Sequence, residues 1–270
     1  MATPSAVSFS VRKVTPTNTL EEKNFLAVEE PLEIRIATGS AQADSPVSIS
    51  MRTPGHDEEL AIGFLFTEGL IRDRRDVNAV ETQENSTRVV LRPDLVPDIK
   101  KLDRNFYTTS SCGVCGKASL DAVSTKSAFG PAENTFTVSS TVLNSLQEKL
   151  SGHQKIFNMT GGLHASALFN KDGSLLLVRE DVGRHNALDK VIGASLMNQQ
   201  LPLSDSILLL SGRISFELVQ KACMAGIPFI AAIGAPSSLA VTLAEENNVT
   251  LVGFLRDNRY TIYSGVQRIA

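Results

Sequence analysis

The sequence has few of the residues that build disulfide frameworks, metal clusters and membrane spans. Its 270 residues include three cysteines and four histidines. No apolar run reaches the roughly 18 residues that a membrane-spanning helix needs. An odd and small number of cysteines argues against a disulfide framework and for a reducing compartment. Residues 1–19 lack the apolar segment of a secretory signal peptide, so we expect a cytoplasmic protein.

The charge balance also excludes one class of partner. The net charge is −3, so no global basic field favours nucleic acid. Hydrophobic residues make up 42% of the chain and charged residues 20%. These fractions are ordinary for a globular protein with a sizeable core.

The chain is predicted to divide into three parts. Residues 1–27 are rich in Ser, Thr and Pro and are expected to form a flexible leader. Residues 28–130 are expected to form an α+β part that ends in a cysteine loop. Here apolar residues alternate with polar ones at 32–36 and 47–51, as in a hairpin. A helix capped by Asp57 is predicted next, and a second strand pair is predicted at 77–92.

Residues 131–270 alternate strand, glycine-containing turn and helix, which is typical of an α/β domain with a mostly parallel sheet. A helix over 187–197 is one predicted element. In such sheets, ligands bind at the carboxyl ends of the strands. Four segments are predicted to converge there: 179–185, 211–215, 234–238 and 254–259.

The four segments contain arginines and helix starts, and both bind phosphate. The arginines are Arg184, Arg213, Arg256 and Arg259. None of the turns has a Walker A or Rossmann sequence. A single arginine is more often part of a surface ion pair, and His164 and His185 are each more often structural than catalytic. Cys223 lies on an apolar helix face and is expected to act as a small hydrophobic residue.

A polar loop, Tyr107–Lys117, contains the other two cysteines, Cys112 and Cys115. Glycine follows each thiol, so a partner can approach the sulfur closely. A Cys-X-X-Cys spacing or a nearby cation such as Lys117 lowers a thiol pKa. The residues alone leave four interpretations: half of a zinc site, a redox pair, a persulfide site or two inert thiols in a turn.

Zinc is the least favoured of the three functional interpretations. A structural zinc site needs four ligands, usually two Cys-X-X-Cys pairs or one pair and two histidines. The sequence has no second pair and no His-X3-5-His spacing. A redox pair at the start of a helix stays open, because the residues that follow Lys117 could begin a helix.

Five segments occur together and in a fixed order along the chain. They are Thr53-Pro54-Gly55-His56-Asp57-Glu58-Glu59-Leu60-Ala61, Thr109-Ser110-Ser111-Cys112-Gly113-Val114-Cys115-Gly116, Thr160-Gly161-Gly162-Leu163-His164, Glu180-Asp181-Val182-Gly183-Arg184-His185-Asn186-Ala187 with Asp189 and Lys190, and Ser211-Gly212-Arg213. This set closely resembles the FdhD/NarQ family of formate dehydrogenase accessory sulfurtransferases. The resemblance runs from about Glu29 to the C-terminus.

The resemblance implies a sulfurtransferase that acts as a sulfur carrier. Members of the family accept persulfide sulfur from a cysteine desulfurase. They transfer it to the molybdenum cofactor, as bis-molybdopterin guanine dinucleotide, before its insertion into the catalytic subunit of formate dehydrogenase. The implied assembly is a homodimer, and GDP-like nucleotides are expected to mimic the cofactor.

The resemblance also assigns roles to residues. Cys112 matches the persulfide-carrying cysteine, and Cys115 would be a supporting thiol. The cofactor-binding segment matches Phe254, Leu255, Arg256, Asp257, Asn258 and Arg259, and we add Arg184, His185 and Arg213 as candidates.

The implied fold is similar to cytidine deaminases: a mixed sheet flanked by helices, with a smaller β-rich N-terminal part. Deaminases use a His-X-Glu and a Pro-Cys-X-X-Cys zinc site. Here Ala165 and Ser166 follow His164, and no proline precedes Cys112, so we expect no metal and no deaminase chemistry. A dithiol oxidoreductase and a non-catalytic molybdoenzyme chaperone remain as alternatives.

Overall fold

The structure is a computed structural model that describes residues 4–38, 43–98, 129–133 and 136–270. Its strands are β1 (Ala6–Val14), β2 (Thr19–Ala27), β3 (Glu30–Thr38), β4 (Ala43–Arg52), β5 (Val77–Gln83), β6 (Ser86–Leu91), β7 (His164–Asn170), β8 (Leu175–Asp181), β9 (Ser206–Leu210), β10 (Phe229–Ala232), β11 (Thr250–Arg256) and β12 (Arg259–Ser264). Its helices are α1 (Asp57–Thr67), α2 (Ser140–Ser151), α3 (Lys155–Thr160), α4 (Arg184–Met197), α5 (Phe216–Met224) and α6 (Ser238–Glu246). None of these helices is long and apolar enough to cross a membrane.

A six-stranded mixed sheet forms the centre of the second half, in the order β12-β11-β10-β9-β7-β8. Strands β9, β10 and β11 are parallel, whereas β12, β7 and β8 pair antiparallel with their neighbours. The sheet is therefore less parallel than predicted. Because β8 is antiparallel to β7, and β7 to β9, β8 runs in the same direction as β9. The carboxyl ends of β8 to β11 and the start of β7 thus share one edge, which we call the carboxyl edge.

Helices cover both faces of this sheet, so the predicted mixed sheet flanked by helices is confirmed. Leucines of α2 pack on one face against Phe169, Leu209 and Val252. On the other face, α4, α5 and α6 contribute to a larger core that also includes α1. The second, four-stranded sheet (β4-β3-β6-β5) adds Leu32 and Ile34 to that same core. The predicted β-rich N-terminal part is therefore present and packs on the second half through α1.

Two glycines set the distance between α1 and α4. A Cβ atom on Gly63 would lie 1.9 Å from the Asp189 carbonyl oxygen, and one on Gly193 would lie 1.9 Å from the Glu59 carbonyl oxygen. Only glycine fits at either position without a backbone shift. This close crossing brings the motif that begins at Thr53 against the motif that contains Asp189.

The segment expected to be a flexible leader contains regular secondary structure. Residues within 1–27 form an antiparallel hairpin, with β1 and β2 paired from Ala6 and Ala27 to Val14 and Thr19. Apolar Val7, Phe9 and Val11 alternate with serines, which is a strand signal. The Ser, Thr and Pro content of this stretch concealed that alternation. The predicted division of the chain at residue 130 remains a prediction.

The ends of two helices also differ from the predictions. Asp57 is the first residue of α1 and not its cap. The N-cap is His56, at φ 59°, and the Asp57 carboxylate instead accepts hydrogen bonds from Arg52. Helix α4 begins at Arg184, three residues earlier than expected. Ser139 caps α2 through a hydrogen bond from the Val142 amide.

Candidate functional site

The carboxyl edge brings together the four segments that the sequence predicted to converge. The Phe254 amide donates to the Gly234 carbonyl oxygen at 3.1 Å, and the Gly234 amide donates to the Gly212 carbonyl oxygen at 3.1 Å. The loops after β9 and β10 are also joined, because Ile214 donates to Ala235 at 3.0 Å. The edge is therefore one connected surface.

Glycines within β11 and just after β9 and β10 allow this close joining. A Cβ on Gly234 would lie 2.8 Å from the Gly212 carbonyl oxygen, and one on Gly253 would lie 3.1 Å from the Gly234 carbonyl oxygen. A Cβ on Gly212 would lie 3.1 Å from Nδ1 of His164. The three glycines thus form a row without side chains that leads from β11 to the start of β7.

Asp181, at the end of β8, positions the start of α4. Its buried carboxylate lies 2.7 Å from Nζ of Lys190, which is equally buried. It also accepts hydrogen bonds from the Gly183 amide at 2.8 Å, the Asn186 side chain at 3.0 Å and the Thr53 amide at 3.2 Å. This network holds the turn that places Arg184 and His185 at the carboxyl edge.

His185 is held by α5. Its Nε2 lies 2.9 Å from a carboxylate oxygen of Glu217 and 3.2 Å from the hydroxyl of Ser215. A hydrogen bond to this carboxylate fixes the ring orientation. Nothing in the sequence spacing between His185 and Glu217 indicates this contact.

Arg184 makes this end of the edge electropositive, and His164 beside it is kept neutral. Burial lowers the pKa of His164, and the nearby charges of Arg184 and His185 lower it further. The Nε of Arg184 is buried and has no hydrogen-bond partner in the part of the chain that the structure describes. Helix α4 has no acidic residue in its first turn and no side-chain cap. Since a helix start favours negative charge, an anion would be stabilised here.

The 254–259 segment forms the hairpin between β11 and β12. Asp257 and Asn258 both have positive φ, as in a type I′ turn. Arg256 and Arg259 are exposed, while Leu255 is buried in the core. The Leu255 side chain therefore anchors the segment in the core and does not face a ligand. Arg213 is also exposed, on the loop after β9.

Phe254 is unusual in both backbone and exposure. Its φ is 56°, in the left-handed region that is uncommon for a bulky residue, and its side chain is 40% exposed. The sheet register shifts between Gly253 and Arg256, so the strand bulges here. Strain of this kind persists where surrounding contacts impose it, and it is frequent at functional sites.

A cavity of about 450 Å³ opens beside His164. It lies between α2, α3 and the sheet, and its walls include Leu150, Phe157, Ser211 and Ile233.

Cys223 has no role in this site. It packs against the core, and burial raises the pKa of its thiol to about 12. The prediction that Cys223 acts as a small hydrophobic residue is confirmed.

Comparison with known proteins identifies the family. Residues 27–270, which include all five motifs, match the model of the FdhD/NarQ family.

The chain belongs to the FdhD/NarQ family.

Relatives within the family share most of its length. The chain is 52% identical to a sulfur carrier protein FdhD of Mycolicibacterium paratuberculosis, over 96% of this chain and 97% of that protein. It is 42% identical to a sulfur carrier protein FdhD of Saccharolobus solfataricus, over 97% of each. The fold matches the crystal structure of a candidate formate dehydrogenase accessory protein from Desulfotalea psychrophila. That match has a TM-score of 0.76 and 24% identity, and it covers 99% of this chain and 100% of that one.

The match to the FdhD/NarQ family includes the cysteine loop, but Cys112 and Cys115 lie outside the described residues. The chain that follows them is described from Phe129. Ala132 donates to the Asn247 carbonyl oxygen, and buried Arg268 donates to the Glu133 carbonyl oxygen at 2.9 Å. Among the described residues, no group of three or more His, Cys, Asp or Glu side chains is placed to hold a metal ion.

Proposed function

We propose that the protein is a sulfurtransferase that carries sulfur to the molybdenum cofactor. In this proposal, the Cys112 thiolate attacks the outer sulfur of a cysteine desulfurase persulfide. A new S–S bond forms on Cys112, the bond within the desulfurase persulfide breaks, and the desulfurase cysteine leaves as a thiolate. The carried sulfur then goes to the molybdenum of bis-molybdopterin guanine dinucleotide. In this transfer the S–S bond on Cys112 breaks, Cys112 returns to a thiolate, and the metal of the substrate would supply the two electrons that convert the sulfane sulfur to sulfide. The sulfurated substrate is afterwards inserted into formate dehydrogenase.

One observation carries this proposal: the FdhD/NarQ family match spans residues 27–270 and therefore the whole Cys112–Cys115 motif. The names of its relatives, sulfur carrier protein FdhD, support sulfur transfer. The described structure adds a surface suited to the substrate. The carboxyl edge offers arginines, a helix start and an exposed aromatic ring, and these recognise phosphate and nucleobase.

Within this proposal, the residues of the edge bind and orient the substrate. Arg184, His185 and Arg213 face its phosphates, and the Phe254–Arg259 hairpin faces guanine. The Asp181–Lys190 pair acts indirectly, since it positions Arg184. We further propose a cytoplasmic homodimer whose partners are a cysteine desulfurase and the catalytic subunit of formate dehydrogenase.

Mass spectrometry tests the first step. After incubation with a cysteine desulfurase and cysteine, the Cys115→Ser variant is expected to gain one sulfur atom on the peptide that contains Cys112. Cys223→Ala is the matched control and should gain the same mass. Absence of the added sulfur from Cys112 in both variants would show that this thiol is not the carrier.

Complementation separates the remaining functions. A strain that lacks the protein should recover formate dehydrogenase activity with the wild-type chain and not with Cys112→Ala. A non-catalytic chaperone would tolerate loss of either thiol. A dithiol oxidoreductase would need both thiols equally, so recovery by Cys115→Ser excludes that function.

A further inference from the structure

We infer that the cavity beside His164 binds an uncharged fused-ring heterocycle with an amide-like edge, which in the proposed substrate is the pterin ring. The inference rests on the proposed function, since it gives a place to a part of that substrate for which the carboxyl edge supplies none. Three features of the cavity carry it: walls without ionic charge, a buried glutamine without a partner and an open aromatic ring.

The walls of the cavity are neutral. Among the described residues that line it, none is aspartate, glutamate, lysine or arginine. His164 is kept neutral, because burial and the nearby charge of Arg184 lower its pKa. An ion would lose its hydration in such a cavity without gaining a partner of opposite charge. The ligand that suits these walls is therefore uncharged.

The start of α3 is closed to an anion as well. The Glu180 carboxylate accepts hydrogen bonds from the Ile156 amide at 3.0 Å and from the Phe157 amide at 2.8 Å. It thus satisfies the free amides of the first turn and neutralises the positive end of the helix. Helix α3 therefore contributes a fixed wall to the cavity, and that wall holds Phe157.

Gln154 is a buried amide without a partner. It lies in the cavity wall and is only 6% exposed. It precedes α3 as the N-cap residue, but its side chain makes no cap hydrogen bond, and no other described residue is bonded to its amide group. A buried amide left unpaired costs free energy. Because it offers both an acceptor and donors, a ligand with a donor next to an acceptor recovers that cost.

Two further neutral groups face the same space. The Ser211 hydroxyl oxygen accepts a hydrogen bond from the Ala165 amide at 2.8 Å, so its own hydrogen remains to be donated. Neutral His164 carries one N–H donor and one acceptor nitrogen. Gly161 is also in the wall, and a Cβ atom on it would meet nothing within 4 Å. The cavity thus offers uncharged donors and acceptors from β7, the loop after β9 and the start of α3.

Phe157 gives the cavity a flat apolar face. Its side chain is 38% exposed, so part of the ring is open to a ligand. Aromatic rings stack on flat heterocycles, and Leu150 and Ile233 add apolar surface to the walls. The volume of about 450 Å³ lies within the range of small-molecule sites. A fused-ring ligand therefore has both room and a stacking partner.

Among the parts of the proposed substrate, the pterin fits these walls. It is flat and uncharged, and its amino and oxo groups form an amide-like edge that complements Gln154. The diphosphate is an anion, which neutral walls disfavour. Guanine has the same edge as a pterin, so the experiment compares the two rings directly.

Free pterin is fluorescent, so its binding to the full chain is measured by fluorescence titration. Gln154→Leu removes the amide at similar volume and should weaken pterin by about three- to tenfold. Phe157→Leu should weaken it by at least about fivefold. Gln200→Leu, which replaces an exposed glutamine elsewhere, is the matched control and should leave the affinity unchanged.

Two further measurements test the character of the site. The affinity of the wild-type chain for pterin should change by less than about twofold between about 0.01 M and 1 M salt, because no ion pair forms. Gln154→Leu should be at least as stable to urea as the wild type, because it removes an amide that the fold leaves unpaired. It should also leave the affinity for guanosine unchanged.

The contrary outcomes are distinct. Equal weakening of pterin and guanosine by Gln154→Leu would show that the cavity takes guanine, and a lower urea midpoint would show that Gln154 is structural. Either result overturns the inference, as does a wild-type chain that binds no pterin or variants that bind it unchanged. The gain of sulfur on Cys112 tests the proposed function separately, so a chain that accepts sulfur but shows no pterin site keeps that function and loses only this inference.

Discussion

Charged side chains are paired in the interior around α1 and α4. At the carboxyl edge, by contrast, one arginine keeps an unpaired donor among the described residues, and one phenylalanine keeps a strained backbone. In the interior, Lys221 contacts Asp189 and Thr67 at 2.8 to 2.9 Å. Arg179 donates to Glu59, and Lys190 neutralises Asp181. At the edge, Arg184 has a donor without a partner among the described residues, and Phe254 has a left-handed backbone.

This difference separates scaffold residues from ligand-facing residues within one sequence motif. Asp181, Asp189 and Lys190 lie in one motif with Arg184 and His185, yet the first three are buried and the last two reach the edge. The buried residues build the scaffold, whereas Arg184 keeps a donor without a partner among the described residues. Substitutions should therefore affect stability in one group and ligand binding in the other.

The largest loss of stability is expected from Lys190→Met. It leaves the Asp181 carboxylate buried without its cation, and breaking a buried pair in this way costs about 3–5 kcal/mol. Urea unfolding of the variant and the wild type measures the difference. Lys171→Met, at an exposed turn position, is the matched control and should change the free energy of unfolding by less than about 0.5 kcal/mol. A similarly small change in Lys190→Met would show that the pair is not structural.

The next effect is a dependence of stability on pH through Glu59. Burial alone would raise the pKa of this carboxyl group, but hydrogen bonds and charge from Arg179 and His56 outweigh it and lower the pKa to about 2. The stabilisation is therefore complete above the unfolded pKa of about 4.5 and is lost as the pH falls towards 2. It amounts to roughly 3 kcal/mol at most.

Unfolding titrations between pH 5 and about pH 2 compare Glu59→Gln with the wild type. The variant should be less stable at pH 5 and should lose less stability on acidification. Glu58→Gln changes the neighbouring, exposed carboxylate and should follow the wild-type profile. If Glu59→Gln and the wild type lost the same stability on acidification, protonation of Glu59 would not be coupled to unfolding.

The sequence predicted the secondary structure of the second half better than the ends of its elements. Continuous apolar runs and glycine turns identified β9, β10 and the carboxyl edge. Helix α4 begins three residues before its predicted start, because its first residues are charged and are stabilised by Asp181, a contact set by the fold. The polar composition of residues 1–27 predicts no strands, but the alternation of apolar residues in β1 agrees with the observed hairpin.

The sequence predicted which segments meet at the carboxyl edge, but not which of their residues face the core. Sequence spacing placed Arg184 and Phe254 at strand ends. It could not show that Leu255 faces the core, that Glu217 holds His185, or that Phe254 has a positive φ. Each of these depends on contacts between distant segments, which local patterns do not encode. Cys112 and Cys115 lie outside the described residues, so their roles stay predictions.

A smaller loss of stability is expected from Gly193→Ala. The new Cβ would lie 1.9 Å from the Glu59 carbonyl oxygen, so α1 and α4 must move apart. Such overpacking costs about 1–3 kcal/mol, although alanine is otherwise favoured over glycine in a helix. Gly152→Ala is the control, since its nearest contact would be 3.7 Å, an ordinary van der Waals distance. Equal unfolding midpoints for the two variants would contradict the close crossing.

The smallest effect on stability, with the opposite sign, is expected from Arg184→Gln. Removal of a cation from the start of α4 relieves its repulsion with the helix dipole, so the free energy of unfolding should rise by about 0.3–1 kcal/mol. The same variant is expected to lose GDP affinity. A gain in stability together with a loss of binding would show that Arg184 is retained for a ligand at a cost to the fold. If Arg184→Gln were instead as destabilising as Lys190→Met, Arg184 would belong to the scaffold, and the division between interior and edge would fail at the residue where it matters most.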